Sequence, residues 1–412
     1  MKWSKARFSE LFRVKHGYAF KSEFFDTEGP YVLLTPGSFH EEGGFRERGE
    51  KTKFYSGDVP DGYILEEGDL LVAMTEQGPG LLGSSAWIPE SNLYLHNQRL
   101  GRIVDVDEQR LDRRFLYYLF NTRGVRQQIS GSASGTKVRH TAPERIGRVE
   151  VNLPSLGAQR VIAATLTAYD ELMENNRRRM GLLEESARLL YQEWFVRLRF
   201  PGHERICCIN GGPEGWKKRT LADVCKNLED GDWIESKDQG GVDYRLLQIS
   251  NVGMNTFVET ENYRFISEET FRRINCREVT PGDLLISRMP TPIGRAWLVT
   301  PMPWKMVTAV DVAILTADDE VADRYFLLYH LNSQSSIEHC ERRAVGATRP
   351  RIARRELAQI PVLLPPKRLQ REFREIVQTM NEQRTNLYFQ NQKLRAARDL
   401  LLPRLMSGEI AV

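Results

Sequence analysis

The chain has 412 residues, 41% hydrophobic and 27% charged, the composition of a globular protein with cores for two to three domains and not of a disordered chain. Its formal charge is only +3. Residues 1–151 carry 21 Lys and Arg against 21 Asp and Glu, and residues 216–363 carry 20 against 21, so no segment is a globally basic polyanion binder and any nucleic-acid contact must rest on local clusters. The five cysteines (Cys207, Cys208, Cys225, Cys276, Cys340) are odd in number and lack a C-x-x-C pair, which supports neither a disulfide framework nor a zinc site. The segment MKWSKARFSELF has no apolar signal core, and no apolar run approaches the ~18 residues of a membrane span. Reduced thiols, a cytoplasmic location and no membrane partner are the expectation.

Short alternating strands are expected at Tyr31 to Thr35, Leu70 to Met74 and Gly101 to Val106, then a helix at Arg113 to Asn121. A basic and aromatic stretch, Arg46, Arg48, Lys51, Lys53 and Tyr55, lies between the first two strands, balanced by Glu42, Glu47 and Glu50. Gln77 and Gln98-Arg99 sit at strand ends, where an amide or guanidinium can read adenine or guanine edges in a major groove. After the helix comes the Gly-rich loop Gly131-Ser132-Ala133-Ser134-Gly135-Thr136, with Lys137, Arg139, His140, Arg145 and Arg148 beside it. Such a loop lets backbone amides approach a phosphate while neighbouring guanidiniums add charge-assisted bonds.

A long helix follows. Its apolar positions fall at Ile162, Leu166, Tyr169, Met173, Asn176, Met180, Leu183, Ala187, Leu190 and Trp194, alternating steps of four and three that call for a partner helix.

The chain then begins again. Glu67-Gly68-Asp69-Leu70-Leu71-Val72 returns as Pro281-Gly282-Asp283-Leu284-Leu285-Ile286, 214 positions on, and at a lag of 211 Asp112-Arg113-Arg114-Phe115-Leu116-Tyr117-Tyr118 matches Asp323-Arg324-Tyr325-Phe326-Leu327-Leu328-Tyr329. Asn121, Gly135 and Leu153-Pro154 match Asn332, Gly346 and Leu364-Pro365. A repeat this long implies two whole domains of one fold, not a solenoid. Strands are expected again at Leu284 to Ser287 and Val312 to Leu315, and a helix at Arg324 to Asn332. Gln248, Asn251, Arg288 and Arg295 occupy strand ends of the second copy, and Arg342, Arg343, Arg349, Arg351, Arg354 and Arg355 surround its loop Gly346-Ala347-Thr348-Arg349-Pro350.

A second seam runs through Phe373, Val377, Met380, Arg384, Leu387, Asn391, Leu394, Arg398, Leu401 and Leu405, with three polar members. Antiparallel pairing of the two helices gives short connections and sets Asn176 opposite Asn391, a facing amide pair that would pin the register. A helix of ~40 residues spans about 60 Å and would act as a spacer.

The words LLYQEWFVRLRFPGHE (189–204) and KLRAARDLLLPRLMSGEI (393–410), with LPSLGAQR at Leu153 and LPPKRLQR at Leu364, closely resemble the conserved regions of the specificity subunit of type I restriction-modification systems, in order and over the whole chain. The resemblance implies an α+β chain: two similar α/β target recognition domains separated by two long conserved helices forming an antiparallel coiled coil, in a pseudo-two-fold, circular organisation. The expected bounds are 1–152 for the first recognition domain, 153–200 for the first helix, 201–215 for a linker, 216–363 for the second domain and 364–412 for the second helix. From the residues, DNA contact is expected at Arg46, Lys51, Lys53, Gln77, Gln98, Arg99, Gly135, Thr136, Lys137 and Arg139 in the first copy, and at Gln248, Arg288, Arg295, Arg343, Gly346, Thr348, Arg349 and Arg351 in the second, and the resemblance implies the same for the Gly-rich loop of each copy. The partners implied are double-stranded DNA, two methyltransferase (modification) subunits and, joining them, two restriction/translocase subunits. S-adenosylmethionine, ATP and Mg are expected on those partners, and no cofactor or metal on this chain.

Catalytic motifs point the same way. No Asn precedes a Pro, so the N-P-P-[FY] loop of an adenine methyltransferase is missing, and neither G-x-x-x-x-G-K-[ST] nor H-E-x-x-H occurs. The triplet Glu235-Ser236-Lys237 near Asp232 has the E-x-K spacing of a nuclease half-site but no suitably placed Pro-Asp. The alternative to a complex subunit is a stand-alone regulator binding a bipartite DNA site.

Overall fold

The computed structural model describes residues 3–78, 80–209, 212–260 and 262–412. It divides into two compact units. The first comprises residues 1–175 and 391–412, the second residues 176–390. Each therefore contains one copy of the repeat, part of the first long helix (Leu156–Tyr191) and part of the second (Lys367–Met406).

The first unit is built on an antiparallel sheet in the order Arg13–His16, Leu100–Val104, Leu70–Ala73, Ser85–Trp87. Leu70–Ala73 is apolar at all four positions because both faces are covered: Leu70 and Val72 enter one core with Phe8, Leu116 and Phe120, while Leu71 and Ala73 enter another with Leu34 and Ile88. A second sheet, Phe25–Asp26, Phe54–Tyr55, Tyr31–Leu33, Tyr94–Leu95, contains one parallel pair, Tyr31–Leu33 beside Tyr94–Leu95. Ser4–Arg7 pairs with Glu150–Leu153, just before the long helix.

The second unit repeats this plan. Its main sheet runs Cys225–Asp230, Val312–Ala317, Leu284–Ser287, Ala296–Leu298, again wholly antiparallel. Phe265–Ile266, Tyr244–Leu247 and Lys305–Thr308 form its second sheet, with Tyr244–Leu247 and Lys305–Thr308 parallel, and Lys217–Thr220 pairs with Pro361–Leu364. Helices Arg113–Phe120 and Arg324–Leu331 stand at matching places.

The duplication extends to the polar interior. Asp112 and Asp323 cap these two helices, accepting from the amides of Phe115 and Tyr325. Gln159 Oε1 accepts from the Asp112 amide at 2.9 Å, and Gln370 Oε1 from the Asp323 amide at 2.8 Å, so each long helix is fastened to its domain by the same buried amide. Asn121 and Asn332 close the C-terminal ends and bond the strand residues Ser85 and Ala296. The recurring Gly-Asp turn needs a left-handed residue, met by Gly68 at φ +80° and Gly282 at φ +101°.

Within each unit the two helix segments pack antiparallel. In the first unit Ile162, Ala163 and Leu166 share a core with Leu405 and Met406, Asn391 Nδ2 donates to the Met173 carbonyl at 3.0 Å, and Arg398 pairs with Asp170 at 2.6 Å. In the second, Tyr191, Trp194 and Phe195 pack on Phe373. Every seam position in the sequence is buried or half-buried, and the three polar members of the second seam all have acceptors: Arg384 bonds the Asn255 carbonyl and Asn381 Oδ1, Asn391 bonds Met173, and Arg398 bonds Asp170. Asn176 is 1% exposed. Among the described residues no helix is long and apolar enough to cross a membrane.

Candidate nucleic-acid interface

In the first unit the strand registers gather one set of loops at one end of the main sheet. His16 lies opposite Gly101, and Leu100 lies opposite Ala73, so the segment after His16, the turn before Leu100 and the segment after Ala73 share that end. The Met74 amide donates to the Arg99 carbonyl and the Thr141 amide to the Met74 carbonyl, both at 2.9 Å. Arg139–His140 pairs with Thr75–Glu76, which carries the Gly-rich loop to the same place. Gln77, Gln98, Arg99, Gly135, Thr136, Lys137 and Arg139 are thus brought together by sheet geometry.

The loop is a hairpin closed by reciprocal bonds between Ser134 and His140, with Gly135 at φ +100°. A Cβ on Gly135 would stand 2.1 Å from the Val138 carbonyl oxygen, so the turn requires glycine. Residues 135–138 are exposed. Arg139 is turned inward, bonded to Ser130 Oγ at 2.8 Å and paired with Glu76 at 3.3 Å. Glu76 is buried and also accepts from the amides of Gly80, Leu81 and Leu82. Arg145 steadies the hairpin by donating to the Ser132 carbonyl.

Arg46, Lys51 and Lys53 come from the segment that follows Tyr31–Leu33. All three are exposed and line a cavity of about 250 Å³ beside the second sheet, floored by Val32, Leu34, Phe45 and Tyr94.

The second unit forms the same hairpin, with reciprocal bonds between Val345 and Arg351 and Gly346 at φ +125°. Gly346, Thr348 and Arg349 are exposed, and Arg343 lies on the surface beside His339 and Glu356. Here, however, the arginines largely bind the protein itself. Arg351 pairs with Asp311 at 3.0 Å and donates to the Val310 carbonyl. Arg288, buried, donates to the Ile352 carbonyl at 3.0 Å and pairs with Asp230. Arg295, also buried, directs its guanidinium to four carbonyls, of Val252, Met289, Pro292 and Ile249. Burial pulls both guanidinium pKa values below their ordinary value. Arg288 and Arg295 do stand at strand ends, but in this conformation they are scaffold side chains whose N–H groups are spent on neighbouring loops. Gln248 is half-buried, its backbone amide held by Asn251 Oδ1.

Glu235 and Lys237 pair with each other at 2.7 Å on an exposed turn, while Asp232 accepts from the Arg277 amide. Cys207, Cys225, Cys276 and Cys340 are free thiols; the Cys208 side chain lies outside the described residues. Sequence reading missed Tyr18 and Asp311, which occupy this end of the two units. Only strand register could have found them.

A family model for the type I restriction modification DNA specificity domain matches residues 1–185 and again 213–393, which is most of the chain and both copies of the repeat. The chain belongs to that family. This specificity-domain chain is 24% identical over 305 residues to the specificity subunit of the type I restriction enzyme MjaIX of Methanocaldococcus jannaschii, covering 72% of this chain and 69% of that one. It is 20% identical over 358 residues to the MjaVIII specificity subunit of the same organism, covering 85% and 80%. The S subunit of the type I restriction-modification system of M. genitalium shares the fold at a TM-score of 0.58, with 16% identity and coverage of 98% and 96%.

Proposed function

We propose that this chain selects the DNA target of a type I restriction-modification complex, each unit reading one half of a bipartite, asymmetric site in double-stranded DNA. The observation that carries the reading is one scaffold used twice with different side chains at its loop-bearing end. Backbone, caps and interior amides recur, while Gln98, Arg99 and His140 of the first unit are replaced by Val310, Asp311 and Arg351 in the second. Two readers of one shape and different chemistry suit two different half-sites. The exposed hairpin tips, with Lys137 and Arg349, would hold phosphates, and the turns beside them would meet base edges.

The long helices keep an apolar seam inward and still expose Val161, Leu172, Leu182, Leu189, Ile376 and Leu400. On this reading their outer faces dock two methyltransferase subunits, which supply S-adenosylmethionine and adenine methyl transfer. Restriction/translocase subunits using ATP and Mg then join, and the helices set the unread interval between half-sites. This chain contributes selection and no covalent chemistry, in the cytoplasm where the DNA is.

Base-resolved mapping of methylated adenines in cells expressing the chain with its modification subunit tests the proposal. A split, asymmetric motif is expected. Methylation without sequence preference would overturn it, and tight binding of a split site by the purified chain with no effect of the modification subunit would favour the stand-alone regulator.

A further inference from the structure

The two units act as internal controls for one another. Arg99 and Asp311 occupy the same backbone position: each immediately precedes a central-sheet strand residue (Leu100, Val312), and each carbonyl accepts from the residue that follows the neighbouring strand (the Met74 and Arg288 amides, both 2.9 Å). The carbonyls of Met74 and Arg288 in turn receive the amides that follow the two hairpins, Thr141 and Ile352. A side chain here reaches the hairpin, since Asp311 Oδ1 meets Arg351 Nε at 3.0 Å.

In the second unit that position is self-neutralised. In the first it is not. Arg99 is exposed, and among the described residues its guanidinium has no ion pair or hydrogen bond. The carboxylate of the adjoining strand end, Glu76, is committed to Arg139 and three loop amides and cannot take it. The Arg99 backbone is fixed on both sides, its amide held by Asn97 Oδ1 at 3.2 Å and its carbonyl by Met74. The neighbouring Gln98 and Lys137 are exposed too. An unspent planar fork on a fixed turn, beside a hairpin suited to a phosphate, has the geometry for the O6 and N7 acceptors of guanine.

We propose that Arg99 reads a guanine in the half-site of the first unit, and that the second unit, with Asp311 in the matching place, makes no such reading. This rests on the DNA-selecting role proposed above and names one base contact within it.

The test uses the full chain co-expressed with its modification subunit, comparing wild type, Arg99→Ala, Arg99→Lys and Lys137→Ala by base-resolved adenine methylation. Wild type is expected to show a guanine in one half-site. Arg99→Ala and Arg99→Lys both relax that single position, lowering discrimination against other bases on the order of ten- to a hundredfold and leaving the other half-site intact. Lys137→Ala slows methylation evenly over all sequences. An unchanged motif in Arg99→Ala overturns the proposal. So does an even loss in Arg99→Ala that Arg99→Lys restores, which would make the side chain a phosphate clamp. If wild type itself methylates without preference, the role in DNA selection falls first and this contact with it.

Discussion

A guanidinium is informative only once its partners are known. Arg295 and Arg99 look alike as strand-end residues, yet the first satisfies four carbonyls and the second none. Arg295→Met should therefore cost about 2–4 kcal/mol in urea unfolding of the full chain, because it orphans buried acceptors. Lys137→Ala should stay within about 0.5 kcal/mol. His330 offers a second residue-scale test. It is buried, with Nδ1 accepting from the Tyr191 hydroxyl and Nε2 donating to the Pro361 carbonyl, both at 2.9 Å, and burial pulls its pKa down to about 4. An unfolded histidine titrates near 6.5, so between pH 6.5 and 4 the unfolded state takes up the proton first and the contribution of His330 declines as pH falls. The deficit of His330→Gln relative to wild type should thus be largest at pH 7.5 and smaller by about 2 kcal/mol at pH 5, measured by unfolding at both values. A deficit independent of pH would mean that the ring is not held neutral.

Elements were more legible than single residues. The apolar runs at Leu70 and Leu284, the helices after Asp112 and Asp323 and both heptad seams stand where apolar spacing and the internal repeat put them. What sequence could not supply was the reason for the polar seam members. Arg384, Asn391 and Arg398 look like defects in a heptad until their acceptors are seen, and those acceptors come from distant chain: Asn255, Met173 and Asp170. Asp170 also accepts from the Tyr118 hydroxyl at 2.6 Å, joining helix to recognition domain within the first unit, and it helps push the already buried Tyr118 hydroxyl pKa upward. Asp170→Ala should accordingly destabilise the first unit by about 1–3 kcal/mol, since it strands a half-buried arginine and a buried hydroxyl together. Hydrogen exchange resolved by segment would locate the loss in residues 113–120 and 391–406. At the hairpins, Gly135→Ala should distort residues 134–140 without unfolding the unit, visible as reduced methylation at near-normal melting temperature.

At the scale of the molecule, the duplication was plain in the sequence because turn glycines, capping aspartates and strand cores recur at nearly constant lag. The loop-bearing ends were not, because they depend on which strands lie side by side, and a shift of one residue in register would present different groups. Replacing residues 1–150 by those of another family member is expected to change one half of the methylated motif and leave the other as it was; loss of both halves would count against separate readers.

The second unit is drawn from one unbroken stretch, 176–390, whereas the first is completed only by 391–412. Ile162 and Leu166 await Leu405 and Met406 before their core is closed. During synthesis, then, the first unit emerges ahead of the second yet is closed after it, and a nascent chain halted between residues 390 and 405 would hold one mature unit and one with an open flank.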